Sequence, residues 1–156
     1  MVPGDPGPGR VAVNAAARPD KARTGRPGQG QILYVDDDAG ARRVMGMMLR
    51  KAGFEVALAA SGDEALGLLA AGGRYDALVT DYAMPGLNGL ALVELALDRD
   101  PGLPALIVTG YTRDAEFDRL PAHVPVLTKP FTRVEFIEQV ELLVRSRQVP
   151  DPADPV

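Results

Sequence analysis

Four places in the sequence set reactive side chains at the ends of short apolar runs. Asp36, Asp37 and Asp38 follow I32-L-Y-V35, and Asp81 follows A77-L-V-T80. Thr109 closes A105-L-I-V-T109, and Lys129 follows V124-P-V-L-T128. Carboxylates gathered at one point repel one another and raise each other's pKa unless a cation sits among them. A hard, oxygen-preferring divalent ion meets that need with two carboxylates, a carbonyl and water, and Mg²⁺ is the ion expected. The chemistry to look for is therefore that of a metal-bound acidic cluster with a lysine and a hydroxyl at hand.

These side chains form one site only if the runs that carry them share an edge. The four runs and a fifth, F54-E-V-A-L58, have strand character, and the segments between them have helical periodicity. Strands alternating with helices predict an α/β fold with a mainly parallel sheet. In a doubly wound sheet the carboxyl ends of the strands lie along one edge, where ligands bind. Ala41, Val44, Met45, Met48, Leu49 and Ala52 give the first helix its apolar positions, with Gly53 as its stop. The methionines read as core packing. Ser61 with Glu64, and Thr132 with Glu135, read as capping boxes that open the second and last helices. Leu66 and Leu69 belong to the second helix, Leu90, Val93 and Leu97 to the third, and Ile137, Val140 and Val144 to the last. Between Thr112 and Pro121 only Ala115, Phe117 and Leu120 are apolar, so the fourth helix is expected to be short and poorly formed. Pro85 and Gly86 set a turn after Asp81, and Gly89 allows a backbone geometry that a β-carbon would hinder.

Composition narrows the class. A chain of 156 residues with 46% hydrophobic content suits one globular domain, and the absence of cysteine removes disulfides and thiolate metal sites. Residues 1–30 hold five basic and two acidic side chains; the remainder, with 12 basic and 19 acidic, carries a net charge of −7. An acidic body argues against a nucleic-acid partner. No signal peptide is recognisable and no apolar run is long enough to cross a bilayer, so a cytoplasmic protein without membrane contact is expected. Residues 1–30 alternate Pro and Gly without large aliphatic clusters and are expected to be a disordered leader; residues 148–156 are expected to be a disordered tail.

V35-D-D-D38, T80-D-Y-A-M-P-G-L-N-G89, V108-T-G110 and T128-K-P-F131 resemble, in order and in approximate separation, the four signatures of receiver domains of two-component response regulators. The resemblance covers residues 31–147. It implies a flavodoxin-like, doubly wound sheet of five parallel strands in the order 2-1-3-4-5. It also implies that Asp81 is a phosphoacceptor taking a phosphoryl group from a sensor or hybrid histidine kinase or a phosphotransfer protein. Asp37 and Asp81 would bind Mg²⁺ through carboxylates, Ala83 through its carbonyl and Asp36 through a metal-bound water. Lys129 and Thr109 would contact phosphoryl oxygens, Asp38 would be a strand-end or helix-cap acid, and the Lys129–Pro130 bond would be cis. Such a protein catalyses only its own phosphorylation and dephosphorylation, and signals to a downstream protein or drains phosphoryl groups from a kinase.

The sequence departs from the family in places. Val126 stands where an aromatic residue is common, three positions before the lysine; Tyr111 is the nearest aromatic that could report on the loop, and reads equally as a plain exposed tyrosine. Thr109 and Lys129 are 20 positions apart, short for the family, and with Pro121 and Pro125 this resembles receivers of hybrid histidine kinases. Two other readings compete. A haloacid-dehalogenase-type phosphatase with Asp36 as nucleophile fits Asp36-x-Asp38, although Ala39-Gly40-Ala41 stands where its glycine and threonine belong. A pseudo-receiver that only binds partners would lack part of the acid, threonine and lysine set, which is complete. His123, between Ala122 and Val124, reads as a loop histidine.

Overall fold

The three central apolar runs become strands because their alternate side chains are buried on both sides of the sheet, while the two edge strands are half-buried. The computed structural model describes residues 30–110 and 115–148. The strands β1 (Gln31–Val35), β2 (Glu55–Ala59), β3 (Ala77–Asp81), β4 (Ala105–Thr109) and β5 (Val126–Thr128) are all parallel and lie in the order β2-β1-β3-β4-β5. Among the described residues four helices cover them: α1 (Ala39–Lys51), α2 (Gly62–Ala70), α3 (Gly89–Arg99) and α4 (Arg133–Gln148). The expected strand order is observed. Leu33, Val35, Leu78 and Ile107 point into one layer with Ala65 of α2 and Leu92, Val93 and Ala96 of α3. Ile32, Tyr34, Val79, Leu106 and Val108 point into the other with Leu49 of α1 and Phe136, Val140 and Val144 of α4. Each fully buried aliphatic or Phe side chain contributes about 1.5–3 kcal/mol.

The helix ends follow the expected chemistry. Asp38 caps α1, its Oδ1 accepting from the N–H groups of Gly40 at 2.9 Å and Ala41 at 3.1 Å. At the other end Gly53 takes a φ of +103°, and Phe54 N–H donates to Leu49 O while Gly53 N–H donates to Arg50 O, a Schellman closure. Phe54 is therefore a buried helix-end residue, and β2 begins one position later than the apolar run does. Thr132 and Glu135 form a reciprocal capping box. Glu64 accepts from the N–H of Ala60, one residue before the cap Ser61, while Glu64 N–H donates to Ser61 Oγ. β5 is short because Pro125 has no N–H to give the ladder, though its carbonyl accepts from Ile107 N–H at 3.2 Å.

Where the fourth helix belongs, the described residues hold a 3₁₀ segment, Ala115–Arg119. Phe117 meets Tyr82 edge to face at 5.0 Å, and Arg119 pairs with Glu94 of α3 at 2.9 Å. The expected faces of α1 and α4 largely hold, with Met45, Met48, Leu49 and Ala52 of α1 and Ile137, Val140 and Val144 of α4 on the core. Val44 is exposed, and α1 buries Gly46 and Leu49. On α4 Phe136 and Leu143 are buried with Val140 and Val144, and Ile137 is only half-buried. The 1–29 part of the expected leader, Tyr111 and residues 149–156 lie outside the described residues. Among the described residues no helix is long and apolar enough to cross a membrane.

Candidate functional site

The parallel register delivers the acids to one point. Val35 of β1 pairs with Thr80 of β3, so Asp36 and Asp81 leave the sheet side by side. Asp81 pairs with Val108 and Thr109 with Thr128, so the ends of β4 and β5 follow in step. Lys129 N–H donates to Thr109 O at 2.8 Å, which fixes where the lysine departs from β5. The Lys129–Pro130 bond is cis, as the resemblance implied.

Asp36, Asp37 and Asp81 each present a carboxylate oxygen, and these oxygens lie within 4.8 Å of one another. Asp36 is buried, Asp37 exposed and Asp81 between them. Lys129 Nζ lies 3.3 Å from Asp81 Oδ1, with its side chain half in water. Burial raises the Asp81 carboxyl above the ordinary range; Lys129 opposes the rise, and Asp36 and Asp37 add to it. Three hard oxygen donors with one ammonium beside them suit a small divalent cation, so the residues fit Mg²⁺. Thr109 is buried at the end of β4, and Gly110 beyond it has open space where a β-carbon would stand.

The loop after Asp81 is pinned at both ends. Tyr82 N–H donates to Val108 O, and Gly89 N–H donates to Tyr82 O at 2.8 Å. A β-carbon on Gly89 would overlap the Asp81 carbonyl oxygen and press on Tyr82 Cα, so close approach is what requires glycine there. Met84 is buried and anchors the loop, Gly86 turns it at a φ of +75°, and Asn88 caps α3 by accepting from Ala91 N–H. Ala83 is exposed two residues after Asp81.

One participant was not foreseen. Tyr34, counted in the sequence only as a strand residue, donates its phenol O–H to Asp36 Oδ2 at 3.0 Å. Burial first, then the charge of Asp36, pushes its phenol far above the ordinary tyrosine range. Strand alternation puts residues 34 and 36 on the same side, but the hydrogen bond itself is visible only in the structure. Arg42 Nη1 donates to Asp36 O at 2.8 Å, also unforeseen. Asp38 stands apart from the cluster as the α1 cap, and His123 is exposed.

The response regulator receiver domain family matches residues 32–141. The chain belongs to that family. This receiver is 40% identical over 102 residues to a response regulator receiver protein of Anaeromyxobacter, covering 64% of this chain and 42% of that one. The receiver domain of the hybrid histidine kinase CckA aligns with a TM-score of 0.63 and 32% identity, over 74% of this chain and 99% of that one. Response regulator TrrA of Thermotoga maritima, solved in complex with Mg²⁺ and a beryllium fluoride, aligns with a TM-score of 0.65 and 28% identity, over 72% and 97%. The receiver spans between 17% and 56% of the length of the curated relatives it matches. Receiver domains are signalling modules that meet histidine kinases or phosphotransfer proteins and bind Mg²⁺ in an acidic pocket.

Proposed function

We propose that Asp81 is the phosphoacceptor of this receiver, charged by a sensor or hybrid histidine kinase or a phosphotransfer protein in the cytoplasm. The observation that carries the reading is the Asp81 carboxylate itself, with Lys129 Nζ 3.3 Å from Oδ1 and the Asp36 and Asp37 carboxylates within 4.8 Å. An Asp81 oxygen attacks the phosphorus of the partner's phosphohistidine, the P–N bond breaks in line, and the imidazole leaves with a proton from solvent. Lys129 neutralises a phosphoryl oxygen, and Thr109 donates its hydroxyl to another once Asp81 is modified. Mg²⁺, held by the Asp37 and Asp81 carboxylates, the Ala83 carbonyl and, through water, Asp36, would supply positive charge against the same oxygens. The modified receiver changes its affinity for a downstream protein or returns phosphoryl groups to water.

The phosphatase reading fares worse on two counts. Asp36 is buried with both carboxylate oxygens hydrogen-bonded, and Asp38, its would-be second acid, caps α1. Incubation with Mg²⁺ and acetyl phosphate, read by intact mass, tests the proposal. Wild-type protein should gain a single phosphoryl group, Asp81→Asn none, and Asp36→Asn a reduced fraction. Labelling lost in Asp36→Asn but kept in Asp81→Asn would favour the phosphatase.

A further inference from the structure

Tyr34 is a tyrosine in a layer otherwise filled by Ile32, Val79, Leu106 and Val108. The ring alone would serve that layer as phenylalanine. A buried phenol needs a partner, and the one it has is Asp36, whose Oδ2 accepts at 3.0 Å. The other carboxylate oxygen, Oδ1, accepts from Asp38 N–H at 3.0 Å. The last torsion of an aspartate is broad and loosely held on its own. With one donor on each oxygen, from the sheet and from the turn into α1, the carboxylate plane is fixed. A carboxylate offers about four lone-pair sites, so each oxygen keeps one for the cluster that Asp37 and Asp81 complete.

We propose that Tyr34 is a positioning residue for the metal site, holding the Asp36 carboxylate in the orientation from which it meets the ion's hydration shell. The proposal rests on the reading of the acidic cluster as a Mg²⁺ site. Tyr34→Phe keeps the ring and removes the donor. Its Mg²⁺ affinity, measured by calorimetric titration, should fall about tenfold, the low end of what loss of an outer-shell partner costs. Asp36→Asn should weaken binding as well, and adding Tyr34→Phe to it should cost little more, because both act through one carboxylate.

A general loss of packing would instead lower affinity by the same factor in either background, which overturns the proposal. So would a Tyr34→Phe protein that binds Mg²⁺ like wild type. A measurement without any variant stands beside these. The Tyr34 hydroxyl proton, shielded by burial, should give a distinct nuclear magnetic resonance signal that moves on Mg²⁺ addition. A signal unmoved by bound Mg²⁺ counts against the proposal. Wild-type protein that takes up no Mg²⁺ overturns the metal reading and this inference together, whereas wild-type binding unchanged by Tyr34→Phe overturns the inference alone.

Discussion

Asp81 is held above the ordinary carboxylate range by burial and by Asp36 and Asp37, with Lys129 opposing them. The folded state therefore binds the Asp81 proton more tightly than the unfolded chain does. Its contribution to stability is present at acid pH, below the unfolded pKa, and is lost as pH rises through the raised folded value. In EDTA, urea midpoints across this range should fall more steeply for wild type than for Asp81→Asn, and the variant should be the more stable at neutral pH. A wild-type profile parallel to that of Asp81→Asn would contradict this. The acids and Lys129 were legible in the sequence because each follows an apolar run, and parallel strands share a carboxyl edge. Tyr34 was not, because a tyrosine among Ile, Leu and Val reads as core. Only the register of its hydroxyl with Asp36 shows the second role.

At the scale of elements, the described residues between β4 and β5 hold a short 3₁₀ turn rather than an α-helix. The sparse apolar residues there foretold a weak helix, and a 3₁₀ turn stands in its place. Val126 offers no ring to swing, but Phe117 lies edge to face on Tyr82, the residue directly after Asp81. Such a pair contributes about 0.5–1.5 kcal/mol beyond its buried area. Output is expected through the turn, β5 and α4. Hydrogen exchange with beryllofluoride and Mg²⁺ should change protection across residues 115–128. Phe117→Ala should raise exchange in the turn beforehand and blunt that response while leaving Asp81 phosphorylation intact. Changes confined to the ends of β1 and β3 would argue against this route. The face of α1 was less legible. α1 carries apolar residues on more of its circumference than the sheet covers, so periodicity set Met47 aside but could not separate the exposed Val44 from the buried Leu49.

At the scale of the whole molecule, a bidentate pair among the described residues ties the last helix to the end of α3. Arg147 of α4 donates to both oxygens of Asp100, the C-cap of α3, at 3.2 and 2.7 Å. The Arg147 hydrogen bond lowers the Asp100 pKa, so this stabilisation is present above the unfolded pKa and is lost as pH falls through the lowered one. Asp100 is partly exposed, so Arg147→Ala should cost about 0.5–1 kcal/mol in urea unfolding, less in high salt. An unchanged midpoint at low salt would show that the pair contributes nothing. The strand order β2-β1-β3-β4-β5 also means that, once β1 and β2 have paired, every later strand joins the same growing edge in the order a ribosome delivers it. Asp36, Asp37 and Asp81 are all synthesised before Lys129, which comes 48 residues after Asp81. At about 5–20 residues per second, the nascent chain carries its three acids for seconds before their lysine exists.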